Sequence, residues 1–302
     1  MNKFSLSLSL LQELPLLSVL KDIDPNVNWG TRIDNGEVRV FGKIVGKKYL
    51  LKKRDLLQWS ACAKEPEVRK DFSVIYQDDF IVAINKQAPL PVHPCGAYLK
   101  NTLTTLLKEG GYNLYGVNRI DKETSGLIFF VRDPKYGKAL AASLAEGVKF
   151  YWVLVHGRTN DFFKCDLPLG KKYNSFVEKK MGYNHKGKEA KTLFQKVHYF
   201  SQSDCSLLLA RPLTGRTHQI RAHLRELGHA VFGDKIYGKD EKHFLLYLKE
   251  GNSEEVVKKC DGLTRQFLHA GYVRFMHPWH KKEIVITCPM SDDLKDYLKK
   301  LN

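Results

Sequence analysis

The chain has 302 residues, with 49 Lys and Arg against 33 Asp and Glu, a formal net charge of +16 and 43% hydrophobic content. That length exceeds one small core and suits two domains, one of them large. The hydrophobic content is ordinary for a soluble globular protein, and no region reads as low complexity or as an internal repeat. The basic excess, spread along the chain rather than blocked in a tail, favours a folded surface for a polyanion, nucleic acid before an anionic membrane.

In chain order, Phe4 to Leu20 is rich in Leu and Ser, but Gln12, Glu13 and Pro15 interrupt it and only Lys3 flanks it. This argues against a secretory leader. Leu8, Leu11, Leu14 and Leu17 recur at helical spacing, with Pro15 dividing the helix. Asn35-Gly36 is a turn signal, and Val38 and Val40 alternate behind it as a short strand. Residues 1–60 therefore read as a small module and 61–70, polar and containing Pro66, as a linker to a domain over 71–302. The six cysteines stand at 62, 95, 165, 205, 260 and 288, with no Cys-x-x-Cys pair. That pattern suggests neither zinc nor redox chemistry and suits reduced thiols in a cytoplasmic protein.

In the larger domain, Phe72 to Ile84 holds two short strands around Gln77-Asp78-Asp79. Gly126 to Val131 is a compact apolar strand, Pro134 to Glu146 a helix closed by Gly147, and Phe150 to Val155 another strand. Thr192 to Phe200 pairs with Ser206 to Ala210, and Leu268 to Phe275 with Ile284 to Thr287; Ser291 to Lys300 is a closing helix. Strands joined by short turns with few helices predict an α+β domain with a mixed, mainly antiparallel sheet and a central cleft. No Gly-x-Gly-x-x-Gly or Walker-type loop is present, so no nucleotide-cofactor fold is indicated.

Two segments carry candidate chemistry. Asn118-Arg119-Ile120-Asp121-Lys122-Glu123-Thr124-Ser125-Gly126 runs into the apolar strand, which fixes the loop. Basic neighbours keep an aspartate ionised, as a carboxylate nucleophile requires; read alone, Asp121 equally suits a turn or helix cap. The second segment, Arg211 to Gly238, contains a predicted helix over Thr217 to Leu227 with apolar Ile220, Leu224 and Leu227 on one face. His218, Arg221 and Arg225 share another face, where an arginine can make a fixed bond to a carboxylate and its neighbours can contact phosphate. His218 and His223 are five apart, on different faces and without a completing carboxylate, so no metal site is expected. Ser125 lacks the context of a hydrolase nucleophile.

Together these motifs resemble the RluA-type RNA pseudouridine synthases, a family of dual-domain enzymes acting on ribosomal and transfer RNA. The resemblance covers about residues 71 to 295. It rests on the Arg119-Ile120-Asp121 core with Thr124-Ser125-Gly126, on Thr214 to Arg221 with His223 and Leu224, and on Gly228-His229 and Gly233-Asp234 with Tyr237-Gly238. Asn85-Lys86, Pro91 to Pro94, Lys149-x-Tyr151, Leu268-His269-Ala270 and His277-Pro278 are also similar. Asn118 departs from the family's usual His, a change expected to alter RNA loop contacts. The first module resembles an S4-type RNA-binding module through Gly36, Val38, Val40, Gly42 and Lys43, although its first helix is poor in Arg and Lys.

The resemblance implies an isomerase without cofactor or metal, acting as a monomer on RNA. Asp121 is then the nucleophile, Tyr151 the platform for the flipped uracil and Arg221 the partner that keeps Asp121 ionised. Arg119 helps open the RNA, while Lys86, Lys149, Arg216 and His218, with Arg32 and Lys43 in the first module, are implied RNA contacts. The less patterned segments Lys171 to Lys191 and Lys239 to Arg265 are candidates for shaping target choice. The competing reading is an inactive RNA-binding or ribosome-assembly protein on the same fold, against which an intact Asp121, Tyr151 and Arg221 argue. A membrane-surface protein has only the net charge in its favour.

Overall fold

The computed structural model describes residues 3–7, 13–23, 27, 29–34, 36–52, 54–60, 65–95, 98, 100–172, 175, 177, 180–240 and 242–301. The chain divides into two compact units, Met1–Glu65 and Pro66–Asn302. In the first unit, strands Lys3–Ser7, Leu56–Ser60, Val38–Val40 and Lys43–Ile44 form a sheet in that order, accompanied by helices Leu16–Ile23 and Trp29–Asp34. Leu16, Leu20, Trp29, Ile33, Val38, Val40, Leu51 and Leu57 form its core. The predicted leucine helix begins only at Leu16: Leu14–Pro15 is extended and pairs with Leu50–Leu51, since proline suits an element's start and not its interior. Leu8, Leu11 and Asn35 lie outside the described residues, as do residues 61–64 of the predicted linker, Cys62 among them.

The second unit is built on one large sheet. Its principal strands are β1 (Phe72–Gln77), β2 (Ile81–Lys86), β3 (Ser125–Val131), β4 (Val148–His156), β5 (Phe162–Cys165), β6 (Thr192–Phe200), β7 (Cys205–Pro212), β8 (Leu268–Met276) and β9 (Glu283–Thr287). The sheet runs β5-β6-β7-β4-β8-β3-β2-β1, with β9 on β8 and the two-residue strand Tyr115–Gly116 on β3. All pairings are antiparallel except β3 with β8, which run parallel through Ser125↔His269 and Gly126↔Ala270. The expected mixed, mainly antiparallel α+β sheet is thus found.

The helices are α1 (Leu103–Glu109), α2 (Gly137–Glu146), α3 (Gln219–Glu226), α4 (Lys242–Glu250), α5 (Glu254–Lys259) and α6 (Asp292–Lys299). β3 is buried along its whole length because both faces are covered. Leu127 and Phe129 pack with Leu140 and Leu144 of α2, while Ile128 and Phe130 pack with Leu103 and Leu107 of α1. This explains why the strand reads as a continuous apolar run rather than an alternation. Each fully buried phenylalanine contributes about 2–3 kcal/mol by area, so the base of the loop that precedes β3 is firmly seated. Across the sheet, Ile220 and Leu224 of α3 pack on Val153, Val155, Phe194 and Leu208, which sets that helix beside the parallel seam.

The seam demands a glycine. Gly126 has φ +106°, and a Cβ there would lie 2.2 Å from the Ala270 carbonyl oxygen. Only a residue without a side chain lets β3 and β8 approach so closely in that conformation.

Candidate active site

The loop ahead of β3 carries Asp121 to the parallel seam, and almost every residue in it is tied down. A turn closes from Thr124 N–H to the Asp121 carbonyl at 3.1 Å. Asn118 Oδ1 accepts the Phe129 N–H at 2.8 Å, so this position fastens the loop to β3. Lys122 donates to the phenols of Tyr98 (3.2 Å) and Tyr247 (2.9 Å). Glu123 receives the ammonium of buried Lys235 at 3.0 and 3.1 Å, and Thr124 accepts from Gln266 at 2.7 Å. Arg265, 1% exposed, donates to the Glu123 carbonyl, to Ser125 and to Ser291, and pairs with Asp293 at 2.6 and 3.0 Å.

Asp121 itself sits in an acid–base chain. Arg221 Nη1 donates to Asp121 Oδ2 at 2.8 Å, while Nε and Nη2 of the same guanidinium hold Asp234 at 2.6 and 2.8 Å. Asp234 also accepts the N–H groups of Ile236 and Tyr237, both at 2.9 Å. The guanidinium stacks over Tyr237, 4.8 Å from its ring centre. This is the fixed fork geometry that arginine offers and lysine does not. Burial alone would raise the Asp121 carboxyl. The charges of Arg221 and His218, with hydrogen bonds from Arg221 and Gln266, outweigh it and hold the group below the usual carboxylate range. Asp121 is therefore ionised at neutral pH, and its side chain retains 29% exposure toward solvent.

His218 departs from the predicted helix. α3 starts at Gln219, and His218 precedes it with φ 55°, so it does not share a helical face with Arg221 and Arg225. That left-handed turn places its Nε2 3.8 Å from Asp121 Oδ1 and its Nδ1 3.0 Å from the Tyr237 hydroxyl. The hydroxyl accepts from Met181 N–H at 2.8 Å. When the imidazole is neutral, the hydroxyl can donate its own proton to Nδ1, which leaves the imidazole N–H on Nε2, facing the carboxylate.

Tyr151 lies on β4 where the register against β8 shifts between Phe150 and Tyr151. Such an irregularity re-aims a side chain. Its ring packs against both cores that flank the seam. Burial, and after it the negative charge of Asp121, pushes its phenol up to about 12. The hydroxyl therefore stays protonated at neutral pH beside the carboxylate.

The other predicted contacts divide. Arg119 is exposed on the catalytic loop. Lys149 is half-buried on β4, its ammonium pushed down by burial. Arg216 is half-buried and donates to the Glu189 carbonyl at 2.7 Å. Lys86 is corrected: it is fully buried, and its Nζ donates to the Gln87 and Lys122 carbonyls at 2.9 and 3.2 Å. Burial, with Arg265 nearby, pushes its ammonium down, and it props the catalytic loop from beneath instead of meeting phosphate. Arg32 is also corrected. It is 8% exposed, bonded to Glu37 at 2.7 Å, with its guanidinium 5.2 Å from the Trp29 ring centre. Lys43 is exposed on its strand. Asp234 and Tyr237 stood in the sequence motif without a role; Gln266, Arg265, Lys235 and Tyr247 carried no signal, because their partners lie far away in sequence.

Among the described residues one cluster could hold a cation: ligand atoms of Asp78, His277 and His280 lie within 4.8 Å of one another. Asp78 and His277 are already engaged. His277 Nε2 meets Asp78 at 3.0 Å, and its Nδ1 accepts the N–H groups of Trp279 and His280. Asp78 also accepts from Phe80 and Ile81 N–H and from the Tyr76 hydroxyl. The group fastens the β1–β2 turn to the β8–β9 turn.

A buried sheet seam presenting an ionised aspartate, an arginine clamp and a tyrosine defines the class of fold. The solved structure of Human RNA Pseudouridylate Synthase Domain Containing 1 superposes with TM-score 0.59 at 20% identity, covering 79% of this chain and 97% of that one. The family model described as RNA pseudouridylate synthase matches residues 80–226. Ribosomal large subunit pseudouridine synthase C of Vibrio vulnificus is 31% identical over 307 residues, 95% of this chain and 91% of the relative. The mitochondrial tRNA pseudouridine(32) synthase of Saccharomyces cerevisiae is 34% identical over 220 residues. That alignment takes in 69% of this chain but only 46% of the yeast protein, so the chain spans about half that relative's length. The chain belongs to the RNA pseudouridylate synthase family.

Proposed function

We propose that the protein isomerises uridine to pseudouridine in ribosomal or transfer RNA, with Asp121 as nucleophile. The observation that carries this is the Asp121–Arg221–Asp234 chain, which keeps one partly exposed carboxylate ionised and aimed beside Tyr151. In the net reaction the N1–C1′ bond breaks, a C5–C1′ bond forms and one proton passes from C5 to N1. The atoms balance without oxidant, reductant or energy source. The target base must leave its stack to reach the loop, and the Tyr151 ring is a platform for it. Exposed Arg119, on the same loop, is positioned to engage the opened RNA. The protonated phenol of Tyr151 can donate to the detached uracil but cannot serve as a resting base.

The first unit is read as an S4-like RNA-binding module. Exposed Lys43 follows Arg39 on its hairpin and exposed Lys48 lies just beyond it, which supports phosphate contact there. Asp121→Asn keeps the shape of the side chain and removes the nucleophile. Pseudouridine mapping of total RNA treated with that variant is expected to show no product, while RNA binding persists. Product at the wild-type level would overturn the assignment.

A further inference from the structure

A cavity of about 400 Å³ opens between the Leu169–Lys171 and Met181–Tyr183 hairpin, the segment Asn184–Lys188 and the loop Gly215–Thr217. Its lining includes Lys171, Lys186, Lys188 and Arg216, and among the described residues neither an Asp nor a Glu lines it. The side chains of Lys186 and Lys188 are exposed, and the N–H groups of both are spent on Asn184 and Leu169, which fixes the backbone beneath them. Arg216 is oriented by its bond to the Glu189 carbonyl. Gly215 has no close packing to satisfy: a Cβ there would meet nothing within 4 Å. Its missing side chain leaves the mouth of the cavity open.

The cavity is joined to the catalytic loop by a chain of hydrogen bonds and close approaches. Met181, in its wall, donates its N–H to Tyr237, Tyr237 meets His218, and His218 Nε2 lies 3.8 Å from Asp121. Thr217, at its lip, is the residue before His218. We propose that this cavity is a backbone subsite, taking a phosphate of the RNA strand next to the uridine presented to Asp121. This rests on the pseudouridine synthase reading. A lining that carries Lys186, Lys188 and Arg216 without a carboxylate among its described residues suits a phosphate. No aromatic ring is among those residues either, so the space offers no stacking platform for a base, and it positions the strand rather than reading its sequence.

The test uses the full chain, a fluorescein-labelled oligouridylate and anisotropy titrations over a range of KCl. Each phosphate contact to a single strand contributes about 0.7 to the slope of log affinity against log salt. Lys186→Gln with Lys188→Gln removes two of the cations facing that one phosphate and is expected to reduce that slope by about 0.7. Lys258→Gln with Lys259→Gln, an equal loss of charge on α5, is expected to leave it unchanged. Gly215→Leu, which blocks the mouth without altering charge, is expected to weaken binding at least about threefold, or roughly 0.65 kcal/mol at 25 °C. An unchanged slope in the first variant, an equal fall in the second, or undiminished affinity for Gly215→Leu overturns the subsite. Pseudouridine formation by the wild type is scored separately on total RNA. A slope that falls as stated in a protein forming no product upholds the subsite and removes the isomerase reading.

Discussion

Replacing Arg221 with Gln removes the one cation shared by two carboxylates. The Arg221 side chain is 5% exposed and that of Asp234 fully buried, so water cannot take the arginine's place there. Asp234 is left with only the N–H groups of Ile236 and Tyr237. Breaking a buried pair in this way costs roughly 3–5 kcal/mol. Asp121, 29% exposed, is partly rehydrated and adds little, as exposed pairs contribute about 0–1 kcal/mol. With a urea dependence of about 3 kcal/mol per molar, the unfolding midpoint at pH 7 falls by on the order of 1 M, read by far-UV circular dichroism. The pH dependence has a definite sign. In the wild type both carboxyls are held low, so their stabilisation is present above the unfolded pKa near ~3.9 and is lost as pH falls through the lower folded value. In the variant Asp234 keeps its burial without its cation, its carboxyl rises, and the penalty disappears as the group protonates. The gap between the two proteins therefore narrows from pH 7 toward about pH 4. A loss under about 1 kcal/mol, or a gap independent of pH, would refute the view that Arg221 is held by a buried ion pair.

Further outcomes follow from the same geometry. Tyr151→Phe keeps the ring and is expected to retain more activity than Tyr151→Ala. A difference titration near 295 nm should assign Tyr151 a phenol ionising at about 12, and a transition below pH ~9 at this position contradicts its burial beside Asp121. Gly126→Ala places a Cβ 2.2 Å from the Ala270 carbonyl at φ +106° and should destabilise the second unit by about 3 kcal/mol or more, seen as a fall in Tm; a variant within about 0.5 kcal/mol of wild type removes the argument for the seam. Arg39→Ala with Lys43→Ala should weaken binding of total ribosomal RNA and flatten its salt dependence with kcat unchanged at saturation, whereas an unaltered affinity assigns the hairpin another task.

Much of the second unit was legible from local pattern. β3 and β4 and the β6–β7 and β8–β9 pairs announce themselves through apolar and β-branched runs bounded by turn residues, and these are local signals. The pairing of Arg221 with Asp121 was legible too, because both stand in spaced motifs. What failed did so where local rules meet tertiary demand. The resemblance implied phosphate contacts for Lys86 and Arg32, yet each is buried by finding partners: two carbonyls for Lys86, and Glu37 with Trp29 for Arg32. His218 fitted a helical face until a left-handed turn took it out of α3 and toward Asp121.

The sequence by itself determined that an aspartate loop leads into a buried strand, that an arginine-bearing helix accompanies it, and that the surface is basic. Periodicity, turn residues and charge are encoded residue by residue. The tertiary structure alone decided how firmly that loop is held. Lys235, Arg265 and Gln266 come 112 to 145 positions away in the chain to Glu123, Ser125 and Asp121, and Tyr247 reaches Lys122 across 125. No local propensity records such pairings. They form because the parallel seam of β3 and β8, opened by Gly126, brings distant segments to the same edge, where burial makes an unpaired charge too costly to leave.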